Sequence, residues 1–528
     1  MRTLSPSSSM AEETLSADEL QLRAQGHKGE LPRQFGAFAT LSLAFSMTNS
    51  WVGYSAVFAT PLLSGGGPTM VFGLLAAMVA CSLITAGLAE LASAFPTSGG
   101  QYHYAFMVSS PSTRASTAFT VGWLSVVAWC LTAASACIYC AQLIVNLAAF
   151  DHLDYLPTQW QVYLIYVLLC VAAAGLVTYC PRQIPQAEQI FFLASVLGFV
   201  AFFIAVLAAS PSKQSAEIVF TKWDNQTGWN DGVAFMLGVG TCMYTFLATD
   251  GAAHVAEEMP NPGRGVPRAM GLTMLIGIIT SLLWALAFMF SVNDFDTIAS
   301  SPLPILVVLY QAFDSTAGTL FCGAWILFVY FGATIACFVT AGRLTWAFAR
   351  DNGLPYSTFF ARTHPTLQVP ANATFATLVF CVLYGLIYIG STTAFNSFIS
   401  LSILGLNVTY TIPQAIAVFR GRDKVLPADR YLNLGPVFGP VCNVFSTAWM
   451  CLYTVLFCFP NFVPPTLQDM NYLSVVVVGV CVFVLLLWFV RKRKTFVGPA
   501  AVMDGLHVPM SHESTIMQSQ EMKSDVAA

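Results

Sequence analysis

Between Thr241 and Pro262 the chain reads TCMYTFLATDGAAHVAEEMPNP, which sets Asp250, His254, Glu257 and Glu258 at the end of an otherwise apolar run. Asp250 and His254 are one helical turn apart, so they share a face and can exchange a proton. A lone membrane histidine more commonly satisfies a neighbouring backbone group. A carboxylate within the bilayer is costly, and it marks a place where charge is bound or moved. Tyr244 and Phe246 lie just ahead of it, and ring faces attract an ammonium group. The apolar run Val233 to Ala248 makes about 24 Å of helix against a hydrocarbon core of roughly 30 Å, so the polar break at Thr249, Asp250 and Gly251 falls at membrane depth. Backbone freed there needs protein or a watery cavity to pair with.

Two roles for Asp250 follow. It is either the counter-charge or proton carrier for a solute, or a gate and helix cap. Glu257 lies seven residues on, about 10 Å along a helix, which puts Asp250 in the inner half if Glu257 marks the interface.

The first apolar stretch, FGAFATLSLAFSMTNSWVGYSAVFATPLLSGGGP, carries a matching interruption at Thr48, Asn49 and Ser50, followed by Trp51, Gly53 and Tyr54. Polar breaks in corresponding helices of two halves point to an inverted repeat with a solute site at midplane. The candidate solute contacts are Asn49, Ser50, Trp51, Gly53, Tyr54, Tyr244, Phe246, Thr249 and Asp250. Trp51 stands out among the aromatics because it sits in the break, although aromatics make up 13% of the chain and most of them pack.

The elements that must position these residues are membrane helices. With 56% hydrophobic and 9% charged residues, the chain lacks the roughly 25% charge of a soluble domain. Twelve apolar runs near twenty residues long predict an all-α polytopic membrane protein. Its expected parts are a disordered cytoplasmic tail over residues 1–34, a twelve-span domain over 35–490 and a cytoplasmic tail over 491–528. Within the domain, 35–209 form the first five-span half, 233–419 the second, and 437–490 two peripheral helices. If the termini are cytoplasmic, only Lys213 and Lys222 of the 22 Lys and Arg residues fall outside, the asymmetry expected of a correct span count.

Other residues exclude other functions. The seven histidines form no HxxH or HxxxH pair, so neither an enzyme nor a metal centre is expected. No cofactor and no nucleic acid are implied. The fourteen cysteines, Cys137 and Cys140 of a CxxC among them, lie in or beside apolar spans and read as packing residues. Asn225-Gln-Thr, in the external loop between spans five and six, is the candidate glycosylation acceptor. Asn372 and Asn407 match the same pattern where topology forbids it.

Three stretches at the cytoplasmic ends, ELASAFPTSGGQYHY with Glu90, EEMPNPGRGVPRAM with Glu257, Glu258, Arg264 and Arg268, and GRLTWAFARDNGLP with Arg343 and Arg350, resemble the amino acid, polyamine and organocation superfamily. TNSW in span one and DGAAHVAEEMPNPGRGVP around span six resemble its fungal amino acid and choline transporter branch, which includes choline and γ-aminobutyrate permeases. The resemblance implies a leucine-transporter-like fold of five plus five inverted helices with discontinuous helices 1 and 6, plus two peripheral helices. It places the unwound parts near Ser50 to Tyr54 and Tyr244 to Gly251, walled by spans three, eight and ten. It implies secondary active transport of a small nitrogenous solute by alternating access in a plasma membrane, with Glu90, Glu257, Glu258, Arg264 and Arg343 at a cytoplasmic gate. A polyamine or secondary-metabolite amine carrier, or a non-transporting receptor on the same scaffold, are the alternatives. Some relatives carry a lysine in span five where sodium would otherwise sit; FFLASVLGFVAFFIAVLA has none, which leaves proton coupling, sodium coupling and exchange open. Thr334 is a candidate oxygen ligand for sodium, or bonds back to its own helix.

Overall fold

The computed structural model describes residues 17–152, 154–466 and 470–499. The expected disorder of residues 1–16 and 500–528 lies outside them. Residues 17–29 belong to a separate unit, in which Ala17–Ala24 is helical and Arg23 reaches back to Glu19 at 3.2 Å; disorder was expected there. Glu30–Gly498 form the main unit.

Among the described residues of this unit the regular structure is helical, and eleven helices are long and apolar enough to cross a membrane. Span one completes the expected twelve but is broken into pieces. Spans two to five are Gly66–Ala94, Arg114–Asp151, Gln159–Tyr179 and Ile184–Ala209. Span six occupies Asp231–His254, and spans seven to nine are Pro262–Ser291, Thr316–Arg350 and Ala371–Gly390. Span ten is Thr392–Arg420, and spans eleven and twelve are Gly435–Leu456 and Leu473–Lys492. Side chains start several of them. Asn230 Oδ1 accepts from Val233 N at 3.0 Å, and Ser315 Oγ from Gly318 N at 3.2 Å, satisfying N–H groups that a helix start leaves free. Thr158 and Gln161 form a capping box at span four.

Span one runs as Ala37–Thr48, then Ser50–Val57, then Ala59–Leu63. Its break is narrower than expected: Ser50 to Tyr54 are helical, and the interruption is Asn49 alone, at φ +29°. Asparagine tolerates positive φ better than most residues, and here it reorients the axis without losing many backbone bonds. Asn49 N still donates to Phe45 O at 2.6 Å, and its carbonyl accepts from Gly53 N at 2.8 Å.

Span six breaks more thoroughly. Asp231–Cys242 is α-helical, Met243–Phe246 tightens to 3-10, Leu247 is extended at ψ 156°, and Ala248 is left-handed at φ +67° before Gly251–His254 resumes. An alanine held left-handed is strained by about 1–2 kcal/mol, so packing on both sides must hold it. Span six leaves the bundle at the face where spans two, eight and ten also end, with Arg264, Arg343, Arg350, Arg422 and Arg430. We call this the basic face. The short helix Gln101–Val108 is buried beneath it.

Candidate functional site

Asp250 is completely buried and accepts four hydrogen bonds. Gln101 Nε2 reaches Oδ2 at 2.6 Å, His254 Nε2 at 2.9 Å and Trp129 Nε1 at 3.2 Å, while Tyr410 Oη donates to Oδ1 at 2.5 Å. One carboxylate thus ties span six to the Gln101–Val108 helix and to spans three and ten. It does not cap Gly251–His254, since its side chain bonds no backbone N–H there. His254 Nδ1 faces Ser98 O at 3.1 Å. Both ring nitrogens therefore face acceptors, and the pair is satisfied only when it holds one proton beyond a carboxylate and a neutral ring. Ser98 precedes Gly100, whose φ of +57° suits glycine; a Cβ there would come within 2.8 Å of the His254 ring.

Below Asp250 the basic face is shut by buried ion pairs. Arg350 clamps Glu257 through both terminal nitrogens at 2.9 Å, and Ser98 N adds a bond at 3.2 Å. Arg343 grips Glu258 through Nε and through Nη2 at 3.0 Å; Gln34 Nε2 reaches the same carboxylate at 2.8 Å, and Phe35 N donates to Glu258 O at 3.0 Å. Span six is thereby locked to span eight and to the approach to span one. Glu90 joins Arg422 at 2.5 Å and Arg430 at 2.9 Å, tying span two to the loop between spans ten and eleven. Arg264 stacks on the Tyr431 ring at 5.2 Å and pairs with no carboxylate. Asp351, just past span eight, is buried with its carboxyl pushed up to about 7: desolvation raises it, against the neighbouring Arg350 and a 2.8 Å hydrogen bond from Tyr102.

The opposite side is hollow. A cavity of about 510 Å³ descends from loop residues such as Ser301 and Asn461, between span one beyond its break and the first half of span six, to Tyr244. Tyr139, Tyr244, Tyr453 and Phe457 give it aromatic walls, Ser135, Gln142 and Asn396 give it polar edges, and no described lining residue is charged. Its floor is a hydroxyl chain in which Tyr244 Oη lies 3.0 Å from Ser135 Oγ and 3.1 Å from Tyr330 Oη. Beneath Tyr244 is a void of about 10 Å³, the size of one water, bounded by Met47, Thr48, Thr132, Ala248 and Cys337.

Of the expected solute contacts, only Tyr244 lines these spaces. Trp51 points the other way, donating to Ser195 Oγ at 2.9 Å and packing edge-on against Trp284 and Phe202. Tyr54 donates to Met70 O at 3.0 Å, and Phe246 and Ser50 sit against Gly277 of span seven. Asn49 accepts from Ser195 Oγ at 2.9 Å, and Gly53 lets span one approach Thr245 Cα, 3.9 Å from where a Cβ would stand. Thr249 pairs with Thr85 at 3.2 Å. A helix break exposes only one side to the hollow, and these side chains leave from the other. Thr334 bonds back to Tyr330 O at 3.3 Å. Asn225 is half-buried, with Nδ2 donating to Trp229 O at 2.8 Å. Gln101, Trp129, Tyr410, Ser135 and Tyr330 were not singled out from the sequence. Gln101 stood inside a quoted motif, whereas nothing distinguishes Tyr410 from any other tyrosine in an apolar span.

Comparison with known proteins agrees with this architecture. The amino acid permease family profile matches residues 38–482. A choline transporter of Saccharomyces cerevisiae is 33% identical over 470 residues, covering 88% of this chain and 83% of that protein. A swainsonine transporter of Arthroderma benhamiae is 27% identical, over 88% of this chain and 92% of its own, and an amino-acid permease of Arabidopsis thaliana is 26% identical, over 92% and 96%. Two broken spans around a one-sided hollow, and a profile match running through nearly all the helices, make this chain a member of the amino acid permease family.

Proposed function

We propose that this permease is a secondary active transporter of a small nitrogenous solute in the plasma membrane, with the basic face cytoplasmic, and that the structure is its outward-facing state. The observation that carries this is one-sided access: an open cavity reaches Tyr244 between the two breaks, while Asp250 and three carboxylate–arginine clusters close the far side. Alternating access requires such a thick seal on one side of the site and a thin one on the other. The floor at Tyr244 is the thin one.

The walls favour a singly charged or zwitterionic solute of the choline or γ-aminobutyrate type. Aromatic faces stabilise a quaternary ammonium without stripping water from a counter-ion, whereas a polyamine calls for carboxylates that the described lining does not hold. Asp250 is already committed to four donors and fits the gate better than a counter-charge. The similarity to a choline transporter supports the same class. The experiment is uptake of labelled solute in a transport-deficient host, competed with choline, γ-aminobutyrate, neutral amino acids and polyamines. Saturable uptake blocked by choline or γ-aminobutyrate is the expected result. Uptake blocked only by polyamines refutes the solute class, and binding without uptake refutes transport in favour of a receptor.

A further inference from the structure

Glu188, the fifth residue of span five, carries a carboxyl group that no contact above uses. It is completely buried, and neither of its oxygens has a hydrogen-bond partner among the described residues. The polar group facing it is Ser46, on the lower half of span one, whose Oγ is likewise unpartnered. An ionised carboxylate so placed has neither donor nor counter-charge, a burial no fold retains uncompensated; the group escapes by taking up a proton.

The neighbours sharpen this. Span five packs against the lower half of span one, span seven, span eight and helix Pro304–Phe313. Ala37–Thr48 offers no titratable side chain, and span seven offers only Arg264 and Arg268, held on Tyr431. Pro304–Phe313 offers Tyr310, which is exposed. Span eight offers Cys322, Tyr330, Cys337, Arg343 and Arg350; of these, Cys337 is within electrostatic reach of Glu188, and both arginines are engaged by Glu258 and Glu257. Cys337 also bounds the water-sized void under Tyr244, with Met47 and Thr48, the residues that follow Ser46. Glu188 therefore lies just behind the base of the solute cavity and beneath the half of span one that must move to open the basic face.

We infer that Glu188 is the coupling site of this transporter and that it binds a proton, loaded by way of the cavity and the void while the basic face is closed. The proton leaves to the basic side when Ala37–Thr48 swings away and water reaches the carboxylate. A metal cation needs a shell of several oxygens, and here Ser46 alone stands beside the carboxyl. This assignment rests on the transport reading, so its test separates the two.

The full-length protein is reconstituted in proteoliposomes with labelled choline, or with whichever solute of the panel the wild type takes up. Counterflow, which needs no ion gradient, reports transport itself; accumulation under an inward gradient of one pH unit, with the membrane potential clamped, reports coupling. One proton per solute drives accumulation toward about tenfold. Glu188→Gln is expected to keep counterflow and to fall to about onefold accumulation, and solute should drive proton entry, read by luminal pyranine, in the wild type alone. Wild-type counterflow without proton entry, accumulation driven by sodium instead, or a Glu188→Gln variant that still accumulates overturns the proton assignment and leaves transport standing. The wild-type pyranine signal decides the matter even if the variant misfolds. No counterflow with any solute ends both readings together.

Discussion

Tyr410→Phe tests the gate at the scale of one hydroxyl. Tyr410 Oη is the partner recorded for Asp250 Oδ1, at 2.5 Å, while the other three donors converge on Oδ2. Phenylalanine keeps the ring and its packing but leaves a buried carboxylate oxygen bare. A hydrogen bond to a charged group is worth about 1.5–3 kcal/mol. When the basic face opens, water replaces the hydroxyl, so the loss falls on the closed state alone. The closed-to-open equilibrium should therefore shift by roughly 10- to 150-fold. Cys337 gives the readout, because it is buried behind the gate at the void beneath Tyr244. Its modification by a thiol reagent added at the basic face, followed by peptide mass spectrometry, should accelerate by that factor when opening is fast relative to labelling. Cys170, buried on span four away from the gate, should not change and so controls for general loosening. A Cys337 rate within twofold of wild type would show that Asp250 does not hold the gate closed.

Three further substitutions address other sites. Trp51→Phe removes the bond to Ser195 and part of the contact with Trp284, so thermal stability should fall by about 1–3 kcal/mol while the KM for uptake stays unchanged; a raised KM at wild-type stability would return Trp51 to the solute site. Tyr244→Phe cuts the floor's bonds to Ser135 and Tyr330, together about 1–3 kcal/mol, so labelling of Cys337 from the cavity side should rise roughly 5- to 100-fold. Asp351 holds its proton to about pH 7 in the fold against an ordinary 3.8, so its contribution to stability is whole below 3.8 and lost as pH rises through 7. Asp351→Asn should flatten that decline in a melting-temperature series across this window, and an unaltered slope would disprove the effect.

What could be read from the sequence divides along a physical line. Spans two to twelve emerged within a few residues because hydrocarbon thickness fixes their length and composition. The two breaks were visible because Asn49 and the Thr249-Asp250-Gly251 group are polar where polarity is expensive. The direction of side chains was not visible. Trp51 follows the break directly, yet helix Ser50–Val57 turns it toward Ser195 and Trp284, a rotation that only packing with spans five and seven decides. The partners of Asp250 come from three other segments separated by more than a hundred residues, and no local pattern announces them. Glu188 went unnoticed for a related reason: one carboxylate near the start of an apolar run looks like an interfacial residue until its burial is known.

The two breaks divide the work unequally, and the backbone explains how solute and gate communicate. Span one bends at a single residue that keeps nearly all its hydrogen bonds, so Ala37–Thr48 can pivot about Asn49 as a rigid lever. Span six instead loses its helix from Met243 to Asp250, with Tyr244 at one end of the irregular stretch and Asp250 at the other. A solute that displaces the Tyr244 hydroxyl from Ser135 and Tyr330 therefore pulls on a segment already strained at Ala248, and the next fixed point along it is the carboxylate that holds Gln101, Trp129 and Tyr410 together. Lengthening or shortening that stretch by one residue would change the register between floor and gate without touching either set of contacts. Substituting glycine for Ala248 would relieve the left-handed strain by about 1–2 kcal/mol while leaving every named hydrogen bond intact. If the strain transmits the signal, Ala248→Gly should bind solute normally yet turn over more slowly, whereas a purely local role for the strain would show as greater stability alone.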